Sequence, residues 1–175
     1  MNIYKSLIIA GAFVAALGTL TAGAASAQSL PVVGPPNGIA AGVFIPSSAA
    51  AKDAGTNQFT AELRYGLPGV PLTPTRTVVA VGYEGGSKNG NSSTIIPLTI
   101  AEYYGTGQFS PLSPSKPYVG AGSGIYFGKR TGKGTTTNLG GFIAAGYNFT
   151  VLFAEAKYQF VKDGNGFVFN LGLRF

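Results

Sequence analysis

The sequence predicts an all-β protein, an eight-stranded antiparallel up-and-down transmembrane β-barrel that follows a cleavable signal peptide. Hydrophobic residues make up 45% of the 175 residues, yet after residue 27 they are spread by alternation and form no run long enough for a membrane helix. Stretches rich in glycine, asparagine, serine and proline separate the alternating segments. A period of two, interrupted by turn residues about every ten positions, indicates strands connected as hairpins.

The first 27 residues have the layout of a secretory signal peptide. Lys5 gives a positive start, an uncharged apolar stretch follows, and "ASA" at 25–27 offers the small residues that a signal peptidase reads. A retained membrane anchor is the alternative, because the apolar stretch is barely long enough to span a bilayer. The proline-rich continuation "QSLPVVGPPNG" favours cleavage after Ala27. The predicted divisions are a signal peptide (1–27), an extended lead-in (28–37) and a barrel (38–175).

Four strands are predicted in the first half of the mature chain. "GIAAGVFIP" is the first, and "QFTAELRYGLP" is the clearest, with Phe59 and Leu63 on one face and Glu62 and Arg64 on the other. "RTVVAVGYEGG" and "STIIPLTIAEYYG" follow, separated by the predicted polar loop "SKNGNSS". Pro97 in the fourth strand cannot donate to a strand ladder, so it predicts an edge or a bulge. No helical period is found after residue 27.

The second half repeats the same unit four times. "KPYVGAGSGIYFGK" and "NLGGFIAAGYNF" flank the predicted loop "RTGKGTTT", and a tight turn near Asn148 leads into "TVLFAEAKYQFVK". "DGNG" is a strong hairpin turn, because asparagine and glycine tolerate a positive φ. The last strand, "GFVFNLGLRF", places a row of apolar residues on one face: Phe167, Phe169, Leu171, Leu173 and Phe175.

Alternation alone does not tell which face of the barrel is inside, since a soluble barrel also alternates. Three observations favour an apolar outside. The less apolar face is rich in glycine and poor in lysine, and aromatic residues recur near strand ends, as in the aromatic girdles of membrane barrels. The few charges on that face have both signs, which predicts a lumenal network. Its predicted members are Glu62, Arg64, Arg76, Glu84, Glu155, Lys157 and Arg174.

Composition argues against several function classes. The chain has no cysteine and no histidine, so it can form no disulfide, carry no lipid-modified cysteine and supply no histidine general base, and it lacks two of the usual metal ligands. We therefore predict no catalytic, cofactor or metal site. The net charge of +6 is dispersed along the chain, so it indicates solvated loops or contact with anionic lipid head groups and not nucleic-acid binding.

Two segments resemble small bacterial outer-membrane β-barrel proteins of the OmpA/OmpW type: the terminal "FVFNLGLRF" and "KPYVGAGSGIYF". The resemblance implies location in the bacterial outer membrane, contact with its lipid and recognition of the C-terminal strand by the barrel-insertion machinery. It also implies that the termini and the turns near 68–74, 105–115 and 148–150 are periplasmic. The loops expected outside are those near 47–57, 86–92, 130–136 and 163–166.

Three functions remain open at this stage. The first is a monomeric barrel with a structural or surface-interaction role and no catalytic activity. The second, implied by the OmpW-type resemblance, is a narrow channel for small or hydrophobic molecules. The third is a soluble exported barrel that binds a ligand in an apolar lumen.

Overall fold

Eight antiparallel strands close into a barrel in chain order, because β1 pairs with both β2 and β8. The computed structural model describes residues 37–67, 75–105 and 116–175, so the predicted signal peptide and the lead-in before Asn37 lie outside the described residues. The predicted eight-stranded antiparallel up-and-down barrel is confirmed. The strands are β1 (Gly38–Pro46), β2 (Gln58–Gly66), β3 (Thr75–Lys88), β4 (Asn91–Gly105), β5 (Lys116–Arg130), β6 (Lys133–Phe149), β7 (Leu152–Val161) and β8 (Gly166–Arg174).

The barrel has two unlike ends and two unlike halves. We call the end that carries the β1–β2, β3–β4, β5–β6 and β7–β8 connections the hairpin end, and the opposite one the terminal end. The long half consists of β3 to β6, with 14 to 17 residues each. The short half consists of β7, β8, β1 and β2, with 9 or 10 residues each.

Two predicted loops are strand for most of their length. β3 and β4 are joined by Asn89 and Gly90 alone, whose positive φ values of 51° and 79° suit the tight hairpin turn that Asn-Gly favours. The β5–β6 turn is equally short, and Gly132 supplies a φ of 71°. The loop predictions for "SKNGNSS" and "RTGKGTTT" were therefore wrong in extent, because polar strands that leave the hydrophobic layer look like loops in a hydropathy pattern.

A helix of four residues, α1 (Ala49–Lys52), lies in the β1–β2 connection, where the sequence predicted none. Ala51 is buried, and the Gln58 side-chain amide donates to its carbonyl oxygen at 2.8 Å. The Ser48 hydroxyl donates to the carbonyl oxygen of Asp163 at 3.0 Å, which ties this connection to the β7–β8 turn. Tertiary contacts thus stabilise a helix too short to show a period. No helix among the described residues is long and apolar enough to cross a bilayer.

Pro97 causes no bulge, so this prediction was also wrong. The β3–β4 ladder keeps one register on both sides of Pro97 and merely omits the pairs at 82–83 and 96–97, where the proline nitrogen has no hydrogen to donate. Pairing of Pro97 with Tyr126 of β5 continues normally. The ring faces inward, and the ladders on either side hold the strand in place.

The apolar face of the barrel points outward. Leu63, Leu139 and Leu171 expose 50%, 63% and 72% of their surface, and every strand contributes exposed apolar side chains. An apolar ligand cavity inside a soluble barrel needs the opposite arrangement, so the structure contradicts the soluble alternative. Among the aromatic residues near strand ends, which the sequence predicts to form girdles, Tyr103 and Tyr126 instead face inward and are buried.

Large inward side chains fill the lumen where glycines make room for them. One apolar cluster comes entirely from the long half and contains Val78, Ala101, Tyr103, Tyr118, Phe142 and Ala144. A Cβ atom on Gly146 would lie 2.2 Å from Cζ of Tyr118, and one on Gly120 would lie 2.4 Å from Cδ1 of Tyr103. The inward glycines therefore accept aromatic rings against the backbone, which explains why the less apolar face is so rich in glycine.

Candidate functional site

Four charged side chains from two strands that are not neighbours meet in the lumen. Glu62 and Arg64 point inward from β2, and Glu155 and Lys157 point inward from β7, because residues two apart share one face of a strand. Arg64 is 1% exposed and Glu155 is 4% exposed. β1 and β8 lie between β2 and β7, so these contacts cross the lumen. We call these four residues the lumenal charge cluster.

Arg64 is the centre of the cluster. Its Nη1 and Nη2 atoms donate to the two carboxylate oxygens of Glu155 at 3.0 and 2.6 Å, which is a bidentate pair. Its Nε atom donates to Glu62, and Lys157 donates to the other oxygen of Glu62. The Lys157 Nζ atom is also 3.6 Å from Glu155 Oε1. Two positive and two negative groups thus form a ring of ion pairs with no net charge.

Aromatic side chains support the cluster on both sides. The Tyr118 hydroxyl donates to Glu155 Oε2 at 3.0 Å. The Arg64 guanidinium lies 4.7 Å from the ring centroid of Phe153, and Lys157 Nζ lies 5.1 Å from that of Phe142. Both distances allow a cation–π attraction. Sequence reasoning missed these aromatic partners, although all three share the inward parity of their strands.

The other three predicted members of the network lie elsewhere in the lumen. Glu84 is buried nearer the hairpin end and accepts a hydrogen bond of 2.8 Å from the Gln159 side chain. Arg76 and Arg174 are half-buried near the terminal end. The four ion pairs described above join only Glu62, Arg64, Glu155 and Lys157. The structure therefore brings four of the seven residues together.

Two buried asparagines lie close to the lumenal charge cluster along the strands. Neither amide atom of Asn170, opposite Glu155 in the β7–β8 ladder, has a hydrogen-bond partner within the described part of the chain. The same holds for Asn148, opposite Phe153. Buried amides are normally satisfied by protein or by water. The lumen is therefore polar enough to hold water at these two levels.

The geometry of the lumenal charge cluster favours a role in stabilising the barrel over a role in catalysis. Each carboxylate of the lumenal charge cluster accepts hydrogen bonds from a cation, and so neither is placed to act on a substrate. No group of three or more potential metal ligands occurs among the residues that the structure describes. Removing one partner of such a buried ion pair leaves an uncompensated charge, which is far more costly than the pair is favourable.

The C-terminal row of apolar residues lies on the outer face of β8. Phe167 and Phe169 expose nearly half of their surface, and their rings are stacked 6.3 Å apart. The ring of Tyr158 in β7 meets that of Phe167 edge to face, with 4.7 Å between the ring centroids. Leu171, Leu173 and Phe175 continue the exposed row towards the terminal end. This surface is accessible along its whole length.

Comparison with known proteins identifies the fold and leaves the family open. No protein-family model matches the sequence, and no curated protein matches it. Among solved structures, the chain is similar to the crystal structure of Neisserial surface protein A (NspA), with a TM-score of 0.60 and 19% identity. The match covers 79% of this chain and 95% of that chain. The resemblance to small outer-membrane β-barrels is thus confirmed at the level of the fold.

Proposed function

We propose that this chain is a bacterial outer-membrane β-barrel with a structural or surface-interaction role and no catalytic activity. The observation that carries the proposal is a continuous apolar outer face around a lumen that buried ion pairs brace. A bilayer accepts strands only in a closed barrel, because every backbone donor and acceptor must be paired there. The orientation implied by the resemblance to small outer-membrane barrels places the hairpin end outside the cell and the terminal end in the periplasm.

Aromatic side chains at both ends of the outer face support this placement. Exposed rings near the hairpin end are Phe59, Tyr83, Phe127, Phe160 and Phe167. Exposed rings near the terminal end are Tyr65, Tyr104, Tyr147, Phe149 and Phe175. Two such girdles flank the apolar band of membrane barrels, where the rings lie at the level of the lipid head groups.

Gel mobility of the membrane fraction tests the membrane assignment. A folded barrel resists detergent until it is boiled, so we expect the unboiled protein to migrate differently from the boiled protein. Recovery in the soluble fraction with no shift on boiling would contradict the proposal. The predicted cleavage after Ala27 is checked in the same sample by sequencing the N-terminus of the mature protein.

A narrow channel for small or hydrophobic molecules is the second candidate, and the unpartnered amides of Asn148 and Asn170 favour it. The lumenal charge cluster opposes it, because Arg64, Glu155 and Tyr118 cross the lumen in mutual contact. Conductance of the purified barrel in planar bilayers separates the two. We expect the native protein to be closed and Arg64→Ala to conduct. Steady single-channel currents from the native protein would establish the channel instead.

We propose further that the exposed row of β8 is read by the barrel-insertion machinery. Its accessibility on the outer face supports this role. Phe175→Ala should lower the amount of heat-modifiable barrel in cells while leaving refolding in pure detergent unchanged. An equal loss in both would instead make Phe175 a residue needed for folding itself.

A further inference from the structure

Three cationic side chains lie on the inner face of the barrel at its terminal end. Arg76 shares the face of the lumenal Val78 on β3, because residues two apart lie on one face of a strand. By the same rule Lys116 shares the face of the lumenal Tyr118 on β5. Arg174 continues the inward face of β8, on which every second residue is buried. All three are half-buried, and we call Arg76, Lys116 and Arg174 the cationic mouth.

The stagger of the closed barrel brings these three residues to one level. Ladder partners followed from Arg174 across β1 to β6 arrive at Val161 of β7, whereas the N–H group of Arg174 itself donates to the carbonyl oxygen of Val151. One circuit of the barrel therefore shifts the register by ten residues, from 161 to 151, and the tilt of the eight strands distributes this shift evenly. With that tilt taken into account, Arg76 and Lys116 lie within about two residues of the level of Arg174.

Arg76 and Arg174 converge near Asn37, which directly precedes β1. A Cβ atom on Gly66 would lie 2.4 Å from Nη2 of Arg76, so this guanidinium lies against the backbone of β2. The N–H group of Gly66 donates to Asn37 Oδ1 at 2.8 Å. The N–H group of Phe175, which follows Arg174, donates to the carbonyl oxygen of Asn37 at 3.0 Å. The two guanidinium groups are close enough for their charges to repel each other.

No acidic side chain in the described ranges balances the cationic mouth, and these ranges include all six acidic residues of the chain. Three of the six lie at or near the hairpin end: Asp53, Glu84 and Asp163. Glu102 has the outward parity of β4. Glu62 and Glu155 are neutralised within the lumenal charge cluster. A main-chain carboxylate after Phe175 would offset one of the three charges. A cleft lined by charges of one sign concentrates ions of the opposite sign.

A buried amide without a partner faces the same mouth. Asn148 is opposite Lys116 in the β5–β6 ladder and is 4% exposed. Neither its side-chain oxygen nor its nitrogen has a hydrogen-bond partner in the part of the chain that the structure describes. The Cβ atoms of such a cross-strand pair are about 5 Å apart, so the amide of Asn148 and the ammonium group of Lys116 can contact one ligand.

From this arrangement we infer that the cationic mouth binds a small multivalent oxyanion, a solute that carries carboxylate or phosphate groups. A guanidinium group donates paired hydrogen bonds to either kind of group. Beyond the mouth the lumen is filled by Tyr118 and by Arg64, which lies over the ring of Phe153, so the ligand enters from the terminal side and is small. The site requires the closed barrel alone, and its location in the periplasm rests on the proposed function.

Isothermal titration calorimetry of the folded barrel in neutral detergent tests the inference. The probes are pyrophosphate and citrate, and acetate at the same ionic strength is the monovalent reference. We expect saturable binding of both multivalent probes at one site per barrel and no saturable binding of acetate. Lys116→Glu should weaken the binding about tenfold, because it places a like charge beside the anion. Lys133→Glu is the matched control, since Lys133 is likewise the first residue of a strand but lies at the hairpin end, and it should retain the native affinity.

The double variant Arg76→Gln, Arg174→Gln should abolish saturable binding while it remains heat-modifiable. Where this variant does not fold, the Lys116 and Lys133 variants decide alone. Equal weakening by these two lysine variants would assign binding to the overall positive charge of the protein and overturn the inference. Native affinity in Lys116→Glu, or no saturable binding by the native barrel, would also overturn it.

Failure of the inference and failure of the proposed membrane location are distinguishable. A barrel that is heat-modifiable but binds neither probe contradicts only the cationic mouth. A protein that never becomes heat-modifiable in detergent contradicts the membrane location instead.

Discussion

The long half and the short half close one barrel but fill its lumen with different chemistry. The lumenal charge cluster belongs to β2 and β7, both in the short half, whereas all six residues of the apolar cluster come from β3 to β6. The short strands are thus joined by ion pairs as well as by packing, since Phe44, Val161 and Val168 belong to a second apolar cluster that also contains Ile95 and Tyr126. The long strands are joined by packing and by longer ladders.

This difference indicates how a narrow barrel can be stable without a conventional core. Side chains of opposite walls are close enough to meet, so each wall completes the other's contacts. The ion pairs fix the geometry of these contacts, because their hydrogen bonds are directional. The aromatic rings pack closely because they lie against glycines, which have no side chain. The two halves should therefore respond to substitution with different magnitudes.

The largest effect is expected in the short half. Arg64→Met removes the cation that binds both Glu62 and Glu155, so Lys157 becomes the one cation near two buried carboxylates. We expect the free energy of unfolding to fall by about 4 kcal/mol, measured by urea titration of the barrel in lipid vesicles. Lys52→Met, at an exposed position of α1, should change it by less than about 0.5 kcal/mol. Equal effects of the two variants would remove the bracing role of the cluster.

A slightly smaller effect is expected in the long half. Phe142→Ala empties part of the apolar cluster and removes the ring near Lys157. The same titration should show a loss of about 3 kcal/mol, because the barrel wall cannot collapse into the cavity. Phe142→Leu, which retains most of the volume, should restore more than half of this loss. A Leu variant as unstable as the Ala variant would mean that the ring, and not its volume, matters.

A Cβ atom added at an inward glycine tests how tightly the aromatic rings pack against the backbone. Gly146→Ala brings a methyl group to 2.2 Å from Tyr118, a ring held by Glu155. We expect a loss of about 2 kcal/mol from overpacking, seen as a lower urea midpoint. Gly134→Ala, where nothing lies within 4 Å, is the matched control and should leave the midpoint unchanged. A neutral Gly146→Ala would show that the ring has room to move.

The smallest effect is expected at the tip of the β5–β6 hairpin. Gly132 has a φ of 71°, so an alanine there is strained by about 1 kcal/mol, although nothing lies within 4 Å of its added Cβ. Hydrogen exchange of the hairpin amides should become faster in Gly132→Ala and remain unchanged in Gly134→Ala. Identical exchange in both variants would mean that the turn does not depend on a left-handed glycine.

The sequence by itself determined the strands and the content of their faces. A period of two is a local property, so Phe59 and Leu63 had to share one face of β2 and Glu62 and Arg64 the other. "DGNG" likewise marked the last hairpin. It was also possible to foresee that charges of both signs, sparse and unaccompanied by many lysines, would pair inside the barrel.

Only the tertiary structure decided which charges meet. Arg64 and Glu155 are 91 residues apart and become neighbours because strand stagger brings β2 and β7 to the same level across the lumen. The same closure separates Glu84, Arg76 and Arg174 from them, places Tyr103 inside and folds α1 onto Gln58. The alternation of apolar and polar residues repeats along each strand separately. It therefore does not show which inward side chains of two different strands reach the same level of the lumen. Register and closure supply that information, and they depend on all eight strands at once.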